Sequence, residues 1–263
     1  MAANEYAAFA AFYDRLTGDV DYAGLAAYLR EVFLRHQGAV PRTLLDLACG
    51  SGSLSLELAA DAEVIGVDGS EDMLALSGEK AARAGRSLLF LRQDIRCLDL
   101  YGTVEGAVCV LDSLNHLLRT ADIRAVLRRL RLFLEPGGLF VFDVNTPYKH
   151  RVVLGDNAFV LEDEDVVCVW RNRYIPRTCE VAMTLDFFVP AGEGRYDRLT
   201  DEVRERAYAG TTMRRLLEEE GFETLAVYGD RSFLTPGPEA ERLVFVVRNT
   251  RTLEEARRGT GTK

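Results

Sequence analysis

The sequence is poor in the residues that build metal centres, disulfide frameworks and nucleic-acid surfaces. It has only three histidines, at positions 36, 116 and 150, and five cysteines that form no Cys-x-x-Cys pair. Without ligand spacing a metal site has no support, and an odd number of cysteines without pairing motifs favours free thiols in a reducing compartment. The net charge of −9 opposes sequence-independent binding to nucleic acid, which requires clustered lysine and arginine.

Long apolar runs are absent as well. No stretch reaches the roughly 18 residues that a membrane-spanning helix needs, and the N-terminus lacks the basic-then-apolar run of a signal peptide. We therefore expect a cytoplasmic protein that has no membrane partner. Hydrophobic residues nevertheless make up 48% of the 263 positions, so a substantial core can form.

A glycine-rich turn between an apolar run and a helical pattern is the most informative stretch. Residues 43–47 are mostly apolar, and the sequence Cys-Gly-Ser-Gly follows at 49–52. This order is typical of a buried parallel strand that enters a helix through a tight loop. Gly50 and Gly52 would let the backbone approach a ligand where a Cβ atom would collide. The helix N-terminus would offer free N–H groups to a polar or anionic ligand.

A second apolar strand ends in a carboxylate. Residues 63–68 read Glu-Val-Ile-Gly-Val-Asp, and Asp68 lies 16 positions after Gly52, which suffices for one helix and one return strand. An acidic residue at this place accepts two ribose hydroxyls in a nucleotide site. The alternative is a solvated loop carboxylate, but the order of strand, turn, helix, strand and carboxylate favours nucleoside binding.

The details of the loop distinguish between nucleoside cofactors. A dinucleotide fingerprint requires a third glycine, and Ser55 occupies that position. With its acidic residue Asp46, the segment 46–52 instead resembles the first motif of the class I S-adenosylmethionine-dependent methyltransferases. Ala48 replaces the first glycine of that motif and is small enough to permit the turn. The resemblance implies a doubly wound, Rossmann-like α/β sheet of seven strands. It also implies S-adenosyl-L-methionine as cofactor and S-adenosyl-L-homocysteine as product.

The resemblance extends over residues 40–145. Residues 64–73 resemble the motif of the second strand, which lies beside the ribose and adenosine. Residues 93–95 resemble the segment after the third strand, where Asp94 would meet the adenine amino group. Residues 108–113 resemble the end of the fourth strand, beneath the cofactor. The implied cofactor-binding residues are Asp46, Ala48, Cys49, Gly50, Gly52, Asp68, Gly69, Met73, Asp94, Ile95, Leu111 and Ser113. The wider pattern is most similar to the small bacterial methyltransferases of the YqeM type.

The N-terminal segment, residues 4–21, mixes aromatic and small residues. Tyr6, Phe9 and Tyr13 fall near helical spacing, so one face of a helix would be aromatic. One interpretation is a helix packed on the sheet. The family resemblance implies another, in which the helix closes over the cofactor and Tyr6 or Tyr13 offers its hydroxyl to the methionine carboxylate.

The pattern changes after the fifth predicted strand. Apolar and polar residues alternate, with strict period two over residues 179–187, which predicts several inserted antiparallel strands. Ligands of doubly wound sheets bind beyond the carboxyl ends of the strands, so this insertion is predicted to form a lid over a small-molecule substrate. A homodimer interface or a stabilising element is the alternative. We expect a methyltransferase core in residues 1–145 and 210–250, the lid in 146–209 and a flexible tail in 251–263.

Catalysis requires little from side chains, because a sulfonium is already activated and a nucleophile held in line has a much lower barrier. If a base is used, His116 is the best candidate, since it follows the fourth strand and histidine titrates near neutral pH. A packing or capping role is the alternative. The candidate substrate contacts are Asn115, Asn145, Tyr148 and Trp170. The sequence Asn-Thr-Pro-Tyr at 145–148 is superficially similar to a motif of amino-group methyltransferases, but it follows the wrong strand, so we do not transfer that function.

The sequence therefore predicts a class I methyltransferase that acts on a nitrogen or oxygen atom of a small molecule. An RNA or protein methyltransferase would need a basic or extended groove, which the acidic composition disfavours. A cofactor-binding module without transfer activity would have a lid cavity plugged by side chains. A nicotinamide-dependent oxidoreductase is least compatible, because the third glycine and a catalytic pair are missing.

Overall fold

A seven-stranded sheet with helices on both faces forms the centre of the structure. The computed structural model describes residues 12–14, 18, 20–163 and 165–255. The strands are β1 (Thr43–Leu47), β2 (Glu63–Asp68), β3 (Leu89–Arg92), β4 (Val104–Cys109), β5 (Leu134–Asn145), β6 (Ala158–Asp163), β7 (Val166–Ile175), β8 (Glu180–Gly192), β9 (Arg195–Arg206), β10 (Phe222–Gly229) and β11 (Arg242–Asn249). The central sheet has the order β10-β11-β5-β4-β1-β2-β3, and only β11 runs antiparallel to its neighbours. The predicted fold class is confirmed.

Five helices lie wholly within the described residues. They are α1 (Tyr22–Gln37), α2 (Ser53–Leu58), α3 (Glu71–Arg83), α4 (Thr120–Phe133) and α5 (Gly210–Glu219). Short 3-10 turns span Ile95–Cys97 and Ser113–His116, and a π-helical turn spans Lys149–Leu154. None of the described helices combines the length and apolarity that crossing a bilayer requires.

The apolar faces of the helices build the two core layers. On one side of the sheet, α4 and α5 bury Ile123, Leu130 and Leu216 against β4 and β5. On the other side, α1 buries Leu29 and Phe33 against β1 and β5. Burial of such side chains contributes about 1.5–3 kcal/mol each. The strands between these layers are apolar on both faces, which is why the sequence around them reads as continuous hydrophobic runs.

The insertion after β5 forms a second, antiparallel sheet with the order β6-β7-β8-β9, as the alternating pattern predicted. Its inner face is apolar, and Val181, Met183 and Phe187 of β8 are buried there. The ring of Phe12 from the N-terminal segment stacks on Phe187, with ring centroids 5.6 Å apart. Residues of the N-terminal segment therefore pack between this sheet and the rest of the molecule.

The predicted flexible tail is packed where the structure describes it. The Arg251 side chain is only 9% exposed, and its Nη1 donates to the carbonyl of Leu132 in the last turn of α4 at 2.9 Å. Such carbonyls lack a partner within their own helix. Thr252 and Glu255 then form reciprocal hydrogen bonds between side chain and backbone. Arg251 thus supplies a hydrogen-bond partner to the C-terminal end of α4, and the flexibility of the remaining tail stays a prediction.

Candidate cofactor cavity

A cavity of about 1120 Å³ opens beyond the carboxyl ends of β1, β2 and β4. Small-molecule sites occupy roughly 300–1,000 Å³, so the volume suffices for a nucleoside cofactor together with a small acceptor. Most of the residues predicted for the cofactor lie in its wall: Tyr13, Asp46, Ala48, Cys49, Gly50, Asp68, Gly69, Met73, Asp94, Ile95, Leu111 and Ser113. Tyr6 lies outside the described residues. The fold thus brings together positions that are up to about a hundred residues apart in the chain.

The glycine-rich loop contains residues with a left-handed backbone. Ala48 has φ 56° and Gly50 has φ 54°. A residue with a Cβ atom at positive φ is strained by roughly 1–3 kcal/mol. This is the cost of Ala48 where the family motif has glycine. The loop is fastened to β2, because Cys49 N–H donates to the Val67 carbonyl at 3.0 Å and Gly50 N–H donates to Asp68 at 2.9 Å.

Gly52 has a different role from the predicted one. It is not among the residues of the cavity wall. A Cβ atom at this position would lie 2.7 Å from Cβ of Ser77 and 3.2 Å from the ring of Phe90. The structure therefore requires glycine here because α3 and β3 pack closely against the loop, and the expectation that Gly52 admits a ligand is corrected.

Asp68 ends β2 and holds the loop in place. Its Oδ2 accepts from Gly50 N–H and its Oδ1 accepts from Ser70 N–H at 2.8 Å. Burial raises the pKa of Asp68, and these backbone hydrogen bonds oppose that rise. The backbone N–H of Gly69 also contributes a hydrogen bond to this carboxylate, and an ionised carboxylate has about four acceptor positions, so capacity for a further donor remains. This donor and acceptor arrangement fits the two hydroxyls of a ribose.

Asp46 is a second buried carboxylate in the wall. It is 2% exposed and accepts from Ser55 Oγ at 2.5 Å. Burial raises the pKa of Asp46 to about 7, although the hydrogen bond from Ser55 lowers it. A cationic ligand group beside this carboxylate would restore its charge near neutral pH.

Asp94 lies in the wall, but its carboxylate is engaged. Both oxygens accept from the guanidinium of Arg96, and Oδ1 also accepts from the Arg96 backbone N–H at 2.9 Å. The hydrogen bonds from Arg96 hold the pKa of Asp94 below its usual range. An adenine amino group at this position would have to share the carboxylate with Arg96, so the adenine contact stays a prediction.

Three consecutive residues of the N-terminal segment close one side of the cavity. Phe12 packs on the inserted sheet, Tyr13 lies in the cavity wall, and Asp14 accepts from Ser51 Oγ at 2.6 Å and from Lys80 Nζ at 2.5 Å. Burial raises the pKa of Tyr13, which keeps its hydroxyl protonated. Tyr13 is the described residue of this segment that lies in the cavity wall, and its contact with the methionine carboxylate stays a prediction.

The wall carries more negative than positive charge near the loop. Farther from the loop, three acids of the wall have an arginine partner: Glu71 with Arg92, Asp94 with Arg96, and Asp122 with Arg119. Near the loop, by contrast, Asp46 and Asp68 accept from a hydroxyl and from backbone N–H groups. Such a surface favours a cationic ligand.

His116 lies in the wall at the end of the turn that follows β4. Its Nε2 is 3.8 Å from Oε1 of Glu205, a residue of β9 that is only 4% exposed. The sequence analysis missed Glu205. The sequence did contain a sign of it. Asp201, Val203 and Glu205 alternate along β9 and share its buried face, where apolar residues are expected.

Two of the predicted substrate contacts are buried behind the wall. Asn115 is 0% exposed, and its Nδ2 donates to the Arg206 carbonyl at 2.9 Å. Asn145 is 1% exposed, and its backbone N–H donates to Oδ1 of Asn115 at 2.9 Å. Neither residue lies in the cavity wall. Both instead join the end of β5 to the turn that carries His116, because buried amides need complete hydrogen bonding.

The other two candidates also lie outside the cavity wall. Trp170 belongs to β7, where Nε1 donates to Asn172 Oδ1 at 2.6 Å and the ring packs on Phe159. Tyr148 immediately precedes the π-helical turn. The predicted substrate role of these residues is therefore not supported by their positions.

A strained turn at the end of β4 supports the cavity floor. Leu111 and Asp112 both have φ 57°, and Asp143 accepts from both of their N–H groups at 3.0 and 2.7 Å. Arg242 of β11 bridges the two carboxylates, at 2.6 Å from Asp143 and 2.8 Å from Asp112. Burial alone would raise the pKa of Asp112, but Arg242 and Lys149 hold it well below its usual range. This pairing was not visible in the sequence.

Comparisons with known proteins agree with this geometry. Residues 44–138 match the family model described as a methyltransferase domain. The putative methyltransferase YqeM of Bacillus subtilis is 31% identical over 250 residues, covering 94% of this chain and 98% of the relative. The crystal structure of an S-adenosylmethionine-dependent methyltransferase from Clostridium acetobutylicum has a TM-score of 0.83 at 31% identity, covering 93% of this chain and 99% of that chain. A glycine/sarcosine N-methyltransferase of Parasynechococcus marenigrum is 27% identical, covering 86% of this chain and 79% of the relative.

Proposed function

Because this chain belongs to the class I S-adenosylmethionine-dependent methyltransferases of the YqeM type, we propose that it methylates an amine nitrogen of a small polar molecule. The observation that carries the proposal is the position of His116, in a carboxylate-rich wall and beside Glu205. An oxygen acceptor is the alternative within the same mechanism. The N-methyltransferase among the relatives supports nitrogen.

The cofactor has a matching set of groups in the wall. Asp68 would accept from the ribose hydroxyls, Asp46 would accept from the methionine ammonium, and Tyr13 would donate its hydroxyl to the methionine carboxylate. Met73 and Ile95 would enclose the adenine with apolar atoms. When bound, S-adenosyl-L-methionine supplies a methyl group on a sulfonium that needs no further activation.

The remaining requirement is a neutral acceptor. An amine is mostly protonated near neutral pH and cannot attack until its nitrogen lone pair is free. Carboxylates in the wall attract the ammonium form, and His116 accepts its proton, because histidine exchanges protons in this pH range. The acceptor is then held in line with the methyl group, which lowers the entropic part of the barrier.

The position of the inserted sheet favours a small acceptor. We propose that residues 146–209 act as the lid of a core formed by residues 1–145 and 210–250. Phe12 and Phe187 join the N-terminal segment to the inserted sheet. None of the described residues in 146–209 lines the cavity itself, and the sheet approaches the wall through Glu205, which lies 3.8 Å from His116. A duplex or a folded protein would need this side to be open.

The test is S-adenosyl-L-homocysteine formation with a panel of small amines and their alcohol counterparts. We expect turnover of at least one amine and none of the matching alcohol. His116→Gln lowers kcat by about 100-fold or more, as expected when a general base is lost, and retains cofactor binding. His36→Gln is the matched control, because His36 contacts Tyr228 and is not among the wall residues. Equal turnover by His116→Gln, or turnover of alcohols alone, contradicts the proposal.

A further inference from the structure

We propose that Glu205 is the positioning residue of His116 and that it fixes which ring nitrogen of His116 carries the proton. The proposal rests on the proposed role of His116 as base. Glu205 belongs to β9 of the inserted sheet, whereas His116 belongs to the turn after β4 of the central sheet. The two residues are 89 positions apart in the chain, and the docking of the inserted sheet brings them together.

The carboxylate of Glu205 is held from several sides. Its Oε2 accepts from Asn145 Nδ2 at 3.0 Å and lies 3.3 Å from Nε2 of His150. Its Oε1 faces Nε2 of His116 at 3.8 Å. A distance of 3.8 Å suits an ion pair better than a hydrogen bond, and such contacts commonly tighten when ligands bind. Glu205 is therefore oriented before a substrate arrives.

His150 is a second partner of Glu205. It is fully buried, and its Nδ1 lies 3.3 Å from the carbonyl oxygen of Cys179. A carbonyl oxygen only accepts, so Nδ1 donates. Nε2 lies 3.3 Å from Oε2 of Glu205. His150 and Asn145 thus contact Oε2 of the carboxylate, whereas Oε1 faces His116.

The consequence for His116 follows from the chemistry of imidazole. A neutral ring has one donor nitrogen and one acceptor nitrogen. Because Nε2 faces the carboxylate of Glu205, we assign the proton of the neutral ring to Nε2 and the basic role to Nδ1. Glu205 therefore makes Nδ1 the atom that receives the acceptor's proton. Since Glu205 is part of the inserted sheet, the correct tautomer of His116 depends on the docking of that sheet.

The experiment is long-range 1H–15N spectroscopy of the full chain, labelled at histidine and saturated with S-adenosyl-L-homocysteine. The spectra are recorded at about pH 8.5, above the ordinary titration range of histidine. Only three histidines contribute signals, and His36→Gln and His116→Gln assign them. We expect the Nε2–H pattern for His116. An Nδ1–H pattern in the wild-type protein overturns the proposal, and this result does not depend on the folding of any variant.

Variants then separate positioning from a merely structural role. In Glu205→Gln the two nitrogen resonances of His116 should move towards each other, since an amide accepts from one tautomer and donates to the other. Glu205→Asp should restore the wild-type pattern, and Glu202→Gln should leave it unchanged, because Glu202 is exposed on the same strand. An unchanged pattern in a folded Glu205→Gln protein overturns the proposal. Amine turnover that survives His116→Gln refutes the proposed function instead, whatever the tautomer.

Discussion

Replacing Asp68 by Asn should show whether the cofactor binds through a direct contact with this residue or only through the overall negative charge of the cavity. The carboxylate accepts from Gly50 N–H and Ser70 N–H, and in the proposed complex it also accepts from the hydroxyls of the ribose. Asn presents one oxygen and one NH2 group, so one backbone N–H and one ribose hydroxyl lose their acceptor. The hydrogen bonds that the remaining oxygen still accepts become weaker, because their acceptor is no longer charged.

The magnitude follows from these bonds. A hydrogen bond to a charged group contributes about 1.5–3 kcal/mol, so the loss of one such bond to the ribose and the weakening of the other costs roughly 3 kcal/mol of binding free energy. Since about 1.4 kcal/mol corresponds to a tenfold change in Kd, the affinity for S-adenosyl-L-homocysteine should fall about 100-fold. The loss of an acceptor for the Gly50 or Ser70 N–H should also lower the free energy of unfolding by about 1–3 kcal/mol.

Isothermal titration calorimetry measures the affinity, and urea unfolding measures the stability. Asp72→Asn is the matched control, because Asp72 lies in the same wall, is exposed in the first turn of α3, and loses the same charge. An exposed charge contributes about 1 kcal/mol or less, so the control should weaken binding by about fivefold at most. Comparable losses in Asp68→Asn and Asp72→Asn would mean that the cavity attracts its cofactor only by overall charge, which would refute the ribose contact.

Three further predictions concern the supports of the cavity, each measured by urea unfolding. Arg242→Met should cost about 3–5 kcal/mol, because it leaves the buried carboxylate of Asp143 and the partly buried carboxylate of Asp112 without their cation. Arg248→Met breaks an exposed pair and should cost about 1 kcal/mol or less. Equal losses would contradict the account. Gly52→Ala should destabilise the protein by about 1–3 kcal/mol more than Gly50→Ala, since both glycines have positive φ and only Gly52 would clash. Burial raises the pKa of Asp46 to about 7. Between about pH 4 and pH 7 the folded protein therefore keeps a proton that the unfolded chain has lost. The free energy of unfolding of the wild-type protein should fall as the pH rises through this range. The Asp46→Asn protein should not show this fall. If the free energies of unfolding of the two proteins change in parallel with pH, the assigned role of Asp46 is refuted.

The central sheet was predictable because its signals are local. β1 and β2 have the bounds that their apolar runs indicated, and a tight turn with glycine at positive φ follows β1 where the sequence Cys-Gly-Ser-Gly predicted a turn. The antiparallel insertion was visible from its period of two, because that pattern depends only on which face of a strand is buried.

The parts that the sequence did not reveal depend on contacts between distant residues. The close packing of α3 determines the role of Gly52, and the burial of Asn145 depends on a turn 30 positions earlier. Arg251 looked like a solvated tail residue, since a charged side chain in a polar segment gives no sign that it satisfies a helix carbonyl. Glu205 is paired with histidines from two other elements. Side-chain types alone do not specify such partners.

The most direct test of the proposed function is to follow the methyl group itself. The purified protein is incubated with S-adenosyl-L-methionine labelled in the methyl group and with a cell extract, and the label is then measured separately in the small-molecule, RNA and protein fractions. The account predicts that the label enters the small-molecule fraction as an N-methylated amine and that His116→Gln abolishes the signal. Label in RNA or protein, or none in any fraction although the cofactor binds, would contradict it.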